Sequence, residues 1–136
     1  MSEKALLTLL LSIASLVFVT GIPYLLQNYA YVNKIVDGDT VEVNYGERIR
    51  LAGLQTPEKG KPGYKAAGDK LKQIMGIPYV RIVRFPERTF GRTIAVLYTL
   101  NGKQINAAMR TLYKSKVYDR LLTKQQRAEL EKGGWK

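Results

Sequence analysis

Apolar and polar residues follow three arrangements along this chain, and each predicts a different kind of element. From Ala5 to Leu26 there is no charged residue. At 1.5 Å per helical residue that stretch would measure roughly 30 Å, the hydrocarbon thickness of a bilayer. It predicts one N-terminal transmembrane helix. A cleaved secretory signal is the alternative, but its apolar region usually runs about 7 to 15 residues and ends at a small-residue cleavage site, which is not evident here. Gly21 and Pro23 would kink the end of the helix, and Tyr24, Tyr29 and Tyr31 would suit an interfacial belt. On this reading residues 1–30 are anchor and tether, residues 31–136 are a domain held close to the membrane, and the protein is single-pass in a bacterial or mitochondrial inner membrane. Lys4 and Lys34 flank the stretch on opposite sides, so charge does not set its orientation.

Past residue 30 the pattern changes to short alternating runs. "YVNKIV", "TVEVNY", "ERIRLAGL", "YVRIVRF" and "GRTIAVLYT" each read as a strand. Asp37-Gly38-Asp39 joins the first pair, and a hairpin containing Gly46 joins the second to the third. A third arrangement, with apolar residues at helical spacing, covers Pro62 to Met75 through Ala66, Ala67, Leu71, Ile74 and Met75. Two closing helical runs are expected at about Ile105 to Tyr113 and Tyr118 to Lys132. Five short strands, one helix between the third and fourth, and helices at the end suit a mainly β fold with α: a five-stranded OB-type barrel with about three helices.

Charge adds a partner class. The 136 residues hold 22 Lys and Arg against 11 Asp and Glu, a formal charge of +11. Glu3 and Lys4 cancel, so the whole surplus lies from Lys34 onward, and such a domain attracts nucleic acid or anionic lipid headgroups. The absences exclude more. Without Cys there is no disulfide, thiolate zinc site or thiol nucleophile, and without His there is no imidazole base. Hydrolytic chemistry here must use carboxylates, a hard metal that prefers oxygen ligands, or both. Asp37, Asp39 and Glu58 are candidate carboxylates, and Arg50 and Arg92 are candidate anion-binding groups. Taken singly, Asp-Gly-Asp is more often a turn, and each arginine a surface charge.

Taken in order, "IVDGDTVEV", "RIRLAGLQTPE", "FGRTIAVLY", "NGKQINAAM" and the closing "GGW" resemble the thermonuclease family of staphylococcal-nuclease-like domains, over nearly everything from Val32 to Trp135. The resemblance implies calcium-assisted phosphodiester hydrolysis. It casts Asp39 as a metal ligand, Thr56 as a metal ligand through its backbone carbonyl, Glu58 as the carboxylate that activates water, and Arg50 and Arg92 as phosphate clamps. Gln55 stands where the family normally has a second metal-binding aspartate. A neutral, longer ligand should weaken a calcium site strongly, leaving calcium weakly bound or absent. Arg88 and Thr89, before the "FGR" motif, Phe90, its first residue, and Tyr113 also depart from the family pattern. Arg88 is expected to add positive charge near the cation site, and Asn106 is retained. Two functions follow: a silent or weak nuclease-like module of a membrane complex, with membrane lipid, other subunits and nucleic acid as candidate partners, or an active calcium-dependent endonuclease on DNA or RNA.

Overall fold

The computed structural model describes residues 1–21 and 27–136. Five strands make the core: β1 (Tyr29–Asp37), β2 (Thr40–Val43), β3 (Glu47–Leu51), β4 (Tyr79–Thr89) and β5 (Arg92–Thr99). They close on themselves in the order β1-β2-β3-β5-β4, and every pairing is antiparallel except β3 with β5. Alternation turns Val41, Val43, Ile49, Leu51, Val80, Ile82, Ala95 and Leu97 inward, where all are buried.

The five described helices are α1 (Glu3–Leu16), α2 (Tyr64–Met75), α3 (Ile105–Tyr113), α4 (Lys116–Leu121) and α5 (Lys124–Glu131). α2 buries Ala67, Leu71 and Met75, one residue per turn on one stripe, while Ala66 on the same helix is exposed. α3 has the expected bounds. The last helical run divides in two because Leu122 and Thr123 are extended. Thr123 then starts α5 with a capping box, in which its hydroxyl accepts from Gln126 N (3.1 Å) while Gln126 Oε1 accepts from Thr123 N (3.1 Å).

The N-terminal stretch corrects the expectation of a single-pass membrane protein. Among the described residues no helix is long and apolar enough to cross a membrane. α1 has 14 residues, about 21 Å at 1.5 Å each and well short of a bilayer core. Its regular winding gives way at Val17 to a π-helical turn through Gly21. The expectations for Pro23 and Tyr24 lie outside the described residues. Tyr29 and Tyr31 belong to β1 of the barrel.

The β2–β3 hairpin contains Gly46, as expected. Gly46 N donates to Val43 O (3.2 Å), and the two residues between them, Asn44 (φ 50°) and Tyr45 (φ 57°), are left-handed. That is the requirement of a primed hairpin turn at both central positions. The glycine therefore follows the strained residues and does not occupy either position.

Candidate functional site

The site is built where β1 passes into β2. Asp39 N donates to Asp37 Oδ1 (3.0 Å), which folds the Asp37-Gly38-Asp39 turn back on itself. A Cβ on Gly38 would lie 2.7 Å from Ala67 Cβ and 2.8 Å from Thr56 Cγ2, so only glycine lets the turn settle against α2 and the Thr56 segment. The β2–β3 register sets Thr40 opposite Arg50, and so carries Arg50 to the neighbouring Asp39.

Asp39 is only 5% exposed, and four donors from protein groups meet its carboxylate besides its own turn. Oδ1 accepts from Thr40 Oγ1 (2.9 Å) and pairs with Arg50 Nη1 (3.0 Å), while Oδ2 accepts from Thr56 N (2.9 Å) and Thr56 Oγ1 (3.1 Å). Arg50 is equally enclosed. Its Nη2 donates to Leu54 O (2.5 Å), Nη1 reaches Leu51 O (3.4 Å), and the guanidinium lies 4.9 Å from the centre of the Tyr118 ring. Removing either partner of such a buried pair would strand a charge away from water. Asp37 feels the same crowding. Burial first, then its hydrogen bond and like charge with Asp39, push its carboxyl up to about 6.

Arg92, at the start of β5, joins this network from the other side. Its Nη1 donates to Thr40 Oγ1 (3.5 Å) and its Nε to Thr89 O (3.2 Å). Thr40 thus links one arginine to the carboxylate that holds the other. Phe90 projects at the tip of the β4–β5 hairpin, 94% exposed and left-handed (φ 49°), with its ring centre 5.9 Å from the Arg92 guanidinium. Between Arg50, Leu51, Ile94, Tyr118, Leu121 and Leu122 lies a mainly apolar recess of about 210 Å³.

Asp39, Thr56, Arg50 and Arg92 are therefore joined by direct contacts, whereas no side-chain hydrogen bond or ion pair ties Gln55 or Glu58 to them among the described residues. Gln55 is exposed, with its backbone N tied to Tyr113 O at the end of α3 (3.0 Å). Thr56 presents its N–H and hydroxyl to Asp39. Glu58 is exposed, and no hydrogen bond or ion pair joins it to Asp39, Arg50 or Arg92 among the described residues. Arg88 donates to Gly91 O (2.8 Å) and Thr93 Oγ1 (3.4 Å) on its own hairpin.

These donors do not fit a calcium ion as arranged. Such an ion takes 6 to 8 oxygens, whereas both Asp39 oxygens are occupied by donors and one of those is a guanidinium. No group of three or more acidic side chains suited to a metal occurs among the described residues.

Sequence reasoning passed over Thr40 and Tyr118. Thr40 sits inside "DGDT", where its hydroxyl could have been read as a bridge. Nothing local in the sequence signals that Tyr118, 68 positions after Arg50, lies against it. Asn106, singled out in the sequence, is a structural latch. Fully buried, it accepts from Leu97 N (3.0 Å) and donates to Ala52 O and Ala95 O (3.2 Å each), fixing the exit of β3 against β5.

No protein-family model matches the chain. Individual relatives do. A thermonuclease of Staphylococcus intermedius is 32% identical over 119 residues, which is 74% of this chain and 70% of that protein. An uncharacterized endonuclease of Escherichia coli is 28% identical over 95 residues, 68% of this chain, and the match spans 62% of that protein's length. A second uncharacterized endonuclease, from Haemophilus influenzae, is 28% identical over 115 residues, 79% of this chain and 65% of that protein. The thermonuclease match covers both chains widely enough to assign membership, and the barrel carries Asp39, Arg50, Thr56 and Arg92 into one site: the chain belongs to the thermonuclease family of staphylococcal-nuclease-like domains.

Proposed function

We propose that this domain binds the phosphodiester backbone of nucleic acid at the Arg92 face, beside the recess over the buried Arg50, and cleaves it weakly or not at all. The observation that carries this reading is the state of Asp39, whose carboxylate neutralises Arg50 and takes two donors from Thr56. A cation would have to displace those donors, and the neighbouring Gln55 supplies no second charge to draw it in. The barrel, of OB type in this reading, then works through its cations and rings. Arg92 is half-buried, and Nη2 takes no part in the bonds that its Nη1 and Nε make, beside the exposed Phe90. The apolar recess next to Arg50 and Tyr118 suits the flat face of a nucleobase, while a guanidinium pairs bidentately with phosphate.

An active nuclease is the second reading, favoured by the names of the relatives and by Glu58, the one exposed carboxylate in the "QTPE" motif.

Single-strand binding, followed by fluorescence anisotropy of a labelled oligothymidylate, tests the proposal. Affinity should fall steeply as salt rises, because bound cations are released from the strand. Arg92→Ala, at a half-buried position outside the core, should weaken binding about tenfold and lower the salt slope by about 1. An affinity indifferent to salt and to Arg92 would refute the phosphate-binding role.

A further inference from the structure

A second surface lies at the opposite end of β1 from Asp39, and nothing in the site just described uses it. Tyr31 and Tyr79 are cross-strand partners where the β1–β4 ladder ends, with ring centres 5.2 Å apart. Tyr45 joins them from the β2–β3 turn, 5.8 Å from Tyr31. Tyr45 is 76% exposed and Tyr79 52%, so two of the three rings offer much of their surface to solvent.

The turn holds Tyr45 there against its conformational preference. A left-handed φ is costly for a bulky residue and persists only where neighbours enforce it. Here Asn33 Oδ1 accepts from Tyr45 N (2.8 Å), Asn44 Oδ1 accepts from Tyr31 N (3.0 Å), and Asn44 N donates to Tyr31 O (2.9 Å). A glycine would relieve the strain, yet a tyrosine stands at the tip with little of its ring buried.

Charge completes the surface. Directly past the Tyr31–Tyr79 pair, where Val32 N donates to Pro78 O (2.8 Å), a groove of about 340 Å³ opens with Lys34 and Lys72 along it. The carboxylate on this side, Glu42, accepts from Asn33 Nδ2 (2.6 Å) and has Lys34 and Arg48 as its cross-strand neighbours. Exposed rings beside cations match a single strand, whose bases stack on π-faces while its phosphates meet positive charge.

We propose that Tyr31, Tyr45 and Tyr79, with Lys34 and Lys72, form a second contact for single-stranded nucleic acid. It rests on the reading above that the domain binds nucleic acid. From Tyr31 to Asp37, at 3.3 Å per strand residue, is about 20 Å, so only a strand several nucleotides long reaches both surfaces. A short ligand stays at Arg92. The platform would therefore make affinity grow with strand length.

The test compares a thymidine dinucleotide with an oligothymidylate of about 12 nucleotides, a length that one such barrel covers, on the full chain by anisotropy. Tyr45→Gly combined with Tyr79→Ala should weaken the longer strand about tenfold or more, as loss of base stacking does, and leave the dinucleotide unchanged. Lys34→Gln with Lys72→Gln should weaken the longer strand and reduce its salt dependence. Because Tyr45→Gly removes the left-handed strain, a loss of affinity without a loss of thermal stability assigns the effect to the ring. An unchanged affinity for the longer strand, or an equal loss on both probes, overturns the platform while leaving nucleic-acid binding intact. So does a change in self-association by sedimentation in place of a change in affinity, which would make the surface a contact between two copies. If the wild-type chain binds neither probe, the reading of the Arg92 face fails, and the platform fails with it.

Discussion

At Asp39 one carboxylate serves structure first. Its oxygens join β2, β3 and the Thr56 segment through Thr40, Arg50 and Thr56, at distances from 2.9 to 3.1 Å. Charge-assisted bonds of this kind are strong when every partner is satisfied, and their loss is costly in a buried setting. Gly53 shows the same tightness in packing. It is left-handed (φ 78°), and a Cβ there would lie 2.6 Å from Trp135 Cζ2, in a ring that is itself buried. Gly53→Ala should therefore destabilise the domain by about 3 kcal/mol, combining backbone strain with overpacking. Urea unfolding would read this as a lower midpoint at an unchanged slope. A loss under about 0.5 kcal/mol, the size of an ordinary surface change, would mean that the ring moves aside easily.

Among elements, the barrel is sewn together by polar bonds between strands as well as by its ladders. Glu47 on β3 takes Arg84 of β4 in a fork, Nε to Oε2 at 3.0 Å and Nη2 to Oε1 at 2.7 Å, and Thr93 of β5 donates to Oε2 at 3.1 Å. Arg84 Nη1 also donates to Gln27 O, so the same side chain holds the entry to β1. The hydrogen bond from Arg84 is the largest of the influences that hold the Glu47 carboxyl below its usual 4.5, and burial opposes it. An acid lowered on folding stabilises the fold above its unfolded pKa, and that contribution disappears as pH falls through the lowered folded value. Glu47→Gln should thus cost about 0.5–1 kcal/mol at pH 7, the modest range of a solvent-screened pair. In thermal melts at successive pH values the gap from wild type should narrow once pH drops below 4.5. A gap that widens in acid would contradict this origin. The strands themselves were legible, because alternation over five short runs has few other solutions. The break at Leu122 and Thr123 was hidden by apolar spacing that runs through it, although Thr123 and Gln126 spell a capping box. The hairpin around Gly46 was legible, but not that Asn44 and Tyr45 before it take the left-handed positions.

For the whole molecule, a formal charge of +11 sits on a barrel several of whose acidic groups are taken up by internal partners, among them Asp39 with Arg50 and Glu47 with Arg84. That leaves an outer surface suited to polyanions. The sequence order carried the family resemblance, and the thermonuclease relative bears that out. What could not be read was contact: that Arg50 is turned inward and shared between Asp39, Leu54 O and Tyr118. The apolar N-terminal run misled for a physical reason, since freedom from charge sets no limit on where regular winding stops, and α1 stops at Leu16. The central claim, that this site holds phosphate without a working calcium centre, is tested most directly by calorimetric titration of the wild-type chain with calcium, with Gln55→Asp as the comparison. The account predicts no saturable binding tighter than about 1 mM for the wild type, weaker than ordinary protein calcium sites, and tighter binding once the substitution supplies a second carboxylate. Saturable wild-type binding in the micromolar range, unaffected by the substitution, would contradict it.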